Sequence, residues 1–137
     1  MVIFITGKSG AGKTTLAYRT AYELSQRGQR VTVLDGARFR KHFAKQLRLD
    51  MTDAGRRRNV EAVATFAALL EEQGHTVVVE LFAPTKELRM LARSKWMQSR
   101  LVYLPGGTLW KGTTYEEPQK EELQEMFRGT TAVPADV

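Results

Sequence analysis

Between the β-branched and aromatic run Val2 to Thr6 and a helix-like stretch that begins at Lys13 stands Gly7-Lys8-Ser9-Gly10-Ala11-Gly12-Lys13-Thr14, which satisfies G-x-x-x-x-G-K-[ST]. An octapeptide of this kind, set between a strand and a helix, leaves the chain little freedom of fold. Its glycines must turn successive backbone N–H groups inward, and a helix must start where they converge. The run before it has no polar alternation, which suits a strand covered on both faces of a parallel sheet. After it, Leu16, Ala17, Ala21 and Leu24 recur at helical spacing and Gly28 supplies the stop. Gly7, Ser9, Gly10, Ala11, Gly12, Lys13, Thr14 and Thr15 are therefore read as a cradle for the phosphates of a nucleoside triphosphate. Lys13 would reach the β- and γ-phosphates, and Thr14 would offer its hydroxyl to Mg²⁺.

The rest of the chain alternates in the same manner. Arg30 to Leu34 reads as a second strand ending in Asp35-Gly36, and a basic helix runs from about Arg38 to Leu47. Thr52 or Asp53 can cap a long helix through Val60, Val63, Phe66, Ala67 and Leu70 that closes at Gly74. His75 to Phe82 gives a third strand, Pro84 opens a helix to about Lys95, and Arg100 to Leu104 gives a fourth strand. Strands alternating with helices predict an α/β class chain: a three-layer P-loop NTPase fold with a mostly parallel central sheet. A length of 137 residues suits one domain, assigned to residues 1–128, with 129–137 as a flexible tail. The absence of cysteine excludes disulfides, thiolate metal sites and a Cys nucleophile. Apolar runs of strand length only, and an N-terminus without signal-peptide features, lead us to expect no membrane span and a cytoplasmic location.

A phosphoryl donor needs an acceptor beside it, at the carboxyl ends of the strands. Two acids stand at such ends. Asp35 can take the acceptor hydroxyl's proton or hold a magnesium-bound water, and it can equally serve as the turn residue of Asp-Gly. Glu80 lies within Val77-Val78-Val79-Glu80-Leu81-Phe82, where a lone carboxylate is costly, so it is expected to meet Mg²⁺ or to form a structural ion pair. Thr14, Asp35 and Glu80 are the candidate metal residues, and Lys13 and Asp35 the candidate catalytic ones. Residues 36 to 60 hold eight basic and two acidic groups, a local +6 that equals the formal charge of the whole chain. That asymmetry points to an anionic partner, either a phosphate- or sulfate-bearing molecule or a nucleic acid.

Three stretches together resemble the adenylylsulfate kinase family in order and spacing. They are Phe4 to Ala17, Val33-Leu34-Asp35-Gly36-Ala37-Arg38-Phe39-Arg40, and Arg56-Arg57-Arg58-Asn59-Val60. The likeness runs from residue 2 to about residue 104 and returns at Tyr115-Glu116-Glu117-Pro118. It implies a kinase that uses ATP and Mg²⁺ to phosphorylate the 3′-hydroxyl of adenylylsulfate, with Arg40, Arg56 and Asn59 holding the acceptor. A bidentate arginine suits a phosphosulfate. Arg57 and Arg58 are expected to be ordinary surface charges.

The chain also departs from that family. Where the family has Asp-Gly-Asp, Ala37 stands at the second acid, so Asp35 or Glu80 has more to do. Its Ser-Pro is Ala83-Pro84. Only Gly106 to Thr114 separates Pro105 from Tyr115, so the basic lid over the ATP phosphates is almost gone, and Lys111 is the one cation left in that loop. Trp110 and Tyr115 can each stack on a nucleobase or anchor the loop. Three readings follow: a kinase acting on an anionic nucleotide, a kinase acting on a hydroxymethylpyrimidine in DNA or a polynucleotide end, and a nucleotide-binding regulator without catalysis.

Overall fold

The computed structural model describes residues 1–124 and 126–127, so the expected tail at 129–137 lies outside the described residues. Ten elements follow one another: β1 (Val2–Gly7), α1 (Lys13–Gln26), β2 (Val31–Asp35), α2 (Gly36–Leu47), α3 (Asp53–Glu72), β3 (Thr76–Leu81), α4 (Lys86–Arg93), β4 (Ser99–Leu104), α5 (Lys120–Gln124) and β5 (Met126–Phe127). The sheet order is β2-β3-β1-β4-β5. The first four strands are parallel, and β5 adds a short antiparallel edge on β4. This is the mostly parallel three-layer α/β sheet that the alternation predicts.

Sheet burial explains the β-branched runs. Val77, Val78 and Val79 are all buried, yet they belong to opposite faces, since successive strand residues point apart. Val77 and Val79 join Phe4, Val63, Ala67 and Trp96 under α2, α3 and α4. Val78 joins Ile5 and Ala17 under α1. Trp96 packs edge-on against Phe4 and donates its indole N–H to the Ala64 carbonyl at 2.9 Å, so the largest core side chain leaves no polar atom unpaired. Among the described residues, no helix is long and apolar enough to cross a membrane.

The strand order brings the chemistry together. Because β3 lies between β1 and β2, Glu80 pairs in register with Ile5 on one side and with Asp35 on the other. The helix boundaries differ from the sequence reading at two places, each for a local reason. Asp35 Oδ1 accepts from the Ala37 and Arg38 amides at 3.0 and 3.2 Å, so α2 starts at Gly36, two residues early. Thr85 caps α4 through the Leu88 amide, so that helix starts two residues after Pro84. At Gly36 a Cβ would stand 2.6 Å from Leu81 Cδ2 and 2.9 Å from the Glu80 carbonyl oxygen. Only glycine lets α2 begin so close to β3.

Candidate active site

The turn after β1 carries residues 8–12 over the N-terminus of α1. Lys13 Nζ folds back and donates to the carbonyls of Gly7 at 2.7 Å and Lys8 at 2.8 Å. Burial lowers its pKa, while the charges of Glu80 and Asp35 act in the opposite direction. A half-buried ammonium held by two carbonyls can exchange them for phosphate oxygens, which carry more charge.

Thr14 Oγ1 donates to Glu80 Oε1 at 2.7 Å. Glu80 is only 7% exposed, and its other oxygen, Oε2, is buried with no hydrogen-bond partner. Burial raises the Glu80 pKa; the hydrogen bond from Thr14 opposes that rise, Asp35 adds to it and Lys13 opposes it. A hydroxyl beside a carboxylate with a spare buried oxygen is a fitting donor set for Mg²⁺, which takes one or two protein oxygens and leaves the other positions to phosphates and water. Among the described residues, no group of three or more His, Cys, Asp or Glu could hold a metal by itself.

One cavity of about 580 Å³ runs from this corner to the basic segment. Ser9, Gly10, Gly12, Lys13, Thr14, Thr15 and Glu80 line it together with Arg40, Arg56 and Asn59. Gly7 and Ala11 shape the loop without reaching the cavity wall, and Asp35 also stands off that wall, with Gly36 and Ala37 on it instead. Arg40 and Arg56 both reach this cavity; burial lowers the Arg40 pKa, and the charge of Arg56 lowers it further. Arg40 Nε and Asn59 Oδ1 are buried without partners, as is Glu80 Oε2. Asn59 is 3% exposed, and its amide donates weakly to the Gly36 carbonyl at 3.4 Å. Unpaired buried polar atoms are costly in a folded chain, and three such atoms around one cavity indicate a polar ligand that completes them.

The other cations of the basic segment do not share this position. Arg57 pairs with Glu61 and Glu87, and Arg58 bonds the Arg48 carbonyl. Both are surface charges, as the sequence led us to expect.

The short connection after β4 forms a fixed strap over the loop. Thr108 donates its amide to the Ser9 carbonyl at 2.8 Å. Gly107 has φ +75, and a Cβ there would lie 2.5 Å from the Ser9 carbonyl oxygen, so this crossing also requires glycine. Farther along, the Glu116 amide bonds the Pro84 carbonyl at 2.7 Å and the Glu116 carboxylate accepts from the Lys86 amide at 2.7 Å. Thr108, Leu109, Trp110 and Thr113 face the cavity, while Lys111 does not. Trp110 stays 71% exposed at the rim. Tyr115 is instead an anchor: its ring stacks on Tyr103 and leans on Phe82, and its hydroxyl meets Thr6 Oγ1 at 2.9 Å. Met51 and Phe82 also reach the wall. No motif distinguishes either residue in the sequence, and only the fold places them there.

The sequence model of the adenylylsulphate kinase family matches residues 1–105. The chain belongs to the adenylylsulphate kinase family. It is similar to the adenylyl-sulfate kinase of Bacillus licheniformis, 40% identical over 92 residues that make up 67% of this chain and 46% of that one. A probable adenylyl-sulfate kinase of Halalkalibacterium halodurans is 30% identical over 127 residues, 93% of this chain and 58% of that one. Among solved structures, the Mycobacterium tuberculosis APS kinase in complex with AMPPNP and APS superposes with a TM-score of 0.69 at 29% identity, covering 76% of this chain and 61% of that chain. The chain spans about half the length of the curated relatives it matches. The family match ends at residue 105, where the strap begins.

Proposed function

We propose that this chain is an ATP-dependent kinase that moves the γ-phosphate of ATP to a hydroxyl of an anionic nucleotide, with adenylylsulfate as the acceptor, and that a single domain performs the reaction. The observation that carries this reading is that one cavity is lined both by the phosphate loop and by Arg40, Arg56 and Asn59. The family supports the same assignment, as does the M. tuberculosis relative solved with AMPPNP and APS.

On binding ATP, Lys13 would leave the Gly7 and Lys8 carbonyls for the β- and γ-phosphates, and the amides of the loop would cradle the β-phosphate. Thr14 and Glu80 would hold Mg²⁺, which when bound neutralises the charge shared by the β- and γ-oxygens. Arg40 and Arg56 would clamp the acceptor's anionic group, and the Asn59 carbonyl oxygen would accept from an N–H or O–H of the acceptor's nucleoside. The acceptor oxygen would then bond to the γ-phosphorus as the bridging oxygen leaves with ADP, and the hydroxyl proton would pass to an oxygen of the transferred phosphoryl group and from there to water. Asp35 keeps Oδ1 on the α2 cap and stands beside Glu80 on the adjacent strand, where its charge acts on both Glu80 and Lys13. The fixed strap would exclude water in place of a moving lid, with Trp110 at the rim available to lie against a nucleobase.

The test is transfer from γ-labelled ATP, with Mg²⁺, to adenylylsulfate and, in parallel, to hydroxymethylpyrimidine-containing DNA. Label on adenylylsulfate alone is the expected result. Label on the DNA alone would mean that this family member has changed its acceptor. Nucleotide binding with neither acceptor labelled would favour a regulator and refute the kinase reading.

A further inference from the structure

Behind the cavity wall lies a cation that the reaction as described does not use. Arg89 of α4 is completely buried, and its Nε donates to the Glu122 carboxylate of α5 at 2.9 and 3.2 Å. Its Nη1 donates to the Ala83 carbonyl at 3.0 Å, and its guanidinium lies 5.6 Å from the Tyr115 ring centroid. Ala83 has φ +38, a left-handed backbone that is unfavourable for any residue bearing a Cβ. Such a conformation persists only where its surroundings hold it. Ala83 is also part of the cavity wall, between Phe82 and Pro84. Pro84 in turn borders a second hollow of about 440 Å³ together with Arg56 and Thr113, which sets this stretch of wall beside Arg56.

We propose that Arg89 is a positioning residue for the acceptor: with Glu122 as its counter-charge, it holds Ala83 left-handed and thereby fixes the Phe82–Pro84 wall against which the acceptor docks. This rests on the kinase reading above for the identity of the ligand, though not for the brace itself. A buried guanidinium needs acceptors for its N–H groups: Nε has Glu122, Nη1 has the carbonyl of the left-handed Ala83, and Nη2 is buried without a partner, so the Ala83 bond is one of the few that hold this cation in place. Phe82 leans on Tyr115, which Arg89 also faces, so one guanidinium supports two points of the same wall.

Calorimetric titration of the full chain with Mg²⁺–AMPPNP and with adenylylsulfate tests the proposal. Arg89→Lys is expected to weaken adenylylsulfate about tenfold, the factor that corresponds to freeing one left-handed alanine, while AMPPNP changes less than about twofold. Adding Ala83→Gly should restore most of the adenylylsulfate affinity, because glycine adopts that φ unaided. A merely stabilising arginine would not be rescued by a glycine. Unchanged adenylylsulfate binding in Arg89→Lys, or a loss that Ala83→Gly does not repair, would overturn the proposal. Should Arg89→Lys fail to fold, Glu122→Gln keeps the arginine and loosens it; an adenylylsulfate-selective loss supports the brace, and equal losses for both ligands overturn it. If the parent chain binds AMPPNP but not adenylylsulfate, the acceptor assignment fails, and the brace is then judged on amide exchange across residues 82–86 without ligand. Faster exchange there in Arg89→Lys, with α1 unchanged, supports it, and unchanged exchange refutes it.

Discussion

Replacing Gly107 with alanine is the sharpest probe of the strap, since the added methyl group alters no charge and removes no side chain. At φ +75 the new Cβ would lie 2.5 Å from the Ser9 carbonyl oxygen and 3.0 Å from the Ala11 nitrogen, both backbone atoms that cannot rotate aside. The left-handed conformation alone costs an alanine about 1–2 kcal/mol. Relieving the contact moves Thr108 away from Ser9 and gives up their 2.8 Å hydrogen bond, which contributes about 1 kcal/mol. The sum, about 2–3 kcal/mol, falls on the strap, because the phosphate loop is continuous with β1 and α1 while the strap meets Ser9 through this one crossing. Opening of the strap should therefore become roughly 30- to 150-fold more frequent. Amide exchange followed by mass spectrometry or NMR would read this at Thr108, with the buried strand β1 as the internal standard. Protection at Thr108 equal to that of the parent, at an unchanged melting temperature, would refute the reasoning.

Lys13→Ala should abolish transfer from ATP, measured with labelled nucleotide, and unchanged turnover would remove the phosphate-loop assignment. Asp35→Asn keeps a good helix cap and deletes a charge that acts on Glu80 and Lys13; because Asp35 stands off the cavity wall, transfer should fall less than the about 10²-fold of a lost general base, and a larger fall at an unchanged melting temperature would put Asp35 in contact with the acceptor. Glu80→Gln removes a carboxylate whose pKa burial holds above its ordinary value, so the folded state binds that proton more tightly than the unfolded state. The ionised group therefore destabilises the unliganded chain above the raised pKa, and the penalty fades as the pH falls, to vanish below about pH 4, where both states are protonated. The variant should melt higher than the parent at pH 7 to 8 and at the same temperature near pH 4, while Mg²⁺-dependent transfer is lost; a thermal gain that persisted at pH 4 would contradict this assignment.

How far the sequence could be read depended on whether the signal was local. The eight residues from Gly7 to Thr14, the apolar strand runs and the glycines that end α1 and α3 are covalent neighbours, and their order on the chain is their order in space. Asp35 illustrates the limit. Its place at a strand end made it a candidate general base or magnesium-binding acid, with a turn residue as the alternative, and in the fold it caps α2 and stands off the cavity wall. Tyr115 shows the same limit from the other side, because its packing between Phe82 and Tyr103 depends on residues that lie far from it along the chain.

The sequence by itself determined the α/β alternation, the phosphate loop, and the membership that Arg40, Arg56 and Asn59 signal. The tertiary structure alone decided that β3 would separate β1 from β2, so that Glu80 meets Thr14 and its spare oxygen remains unpaired. It also decided that Arg40 and Arg56 would converge while Arg57 and Arg58 would turn away, that a strap would lie across Ser9, and that Arg89 would be buried under Ala83. The physical reason is that helix and strand periodicity report which face of an element is buried, whereas strand order and the pairing of buried charges depend on contacts between segments tens of residues apart, which no local pattern encodes.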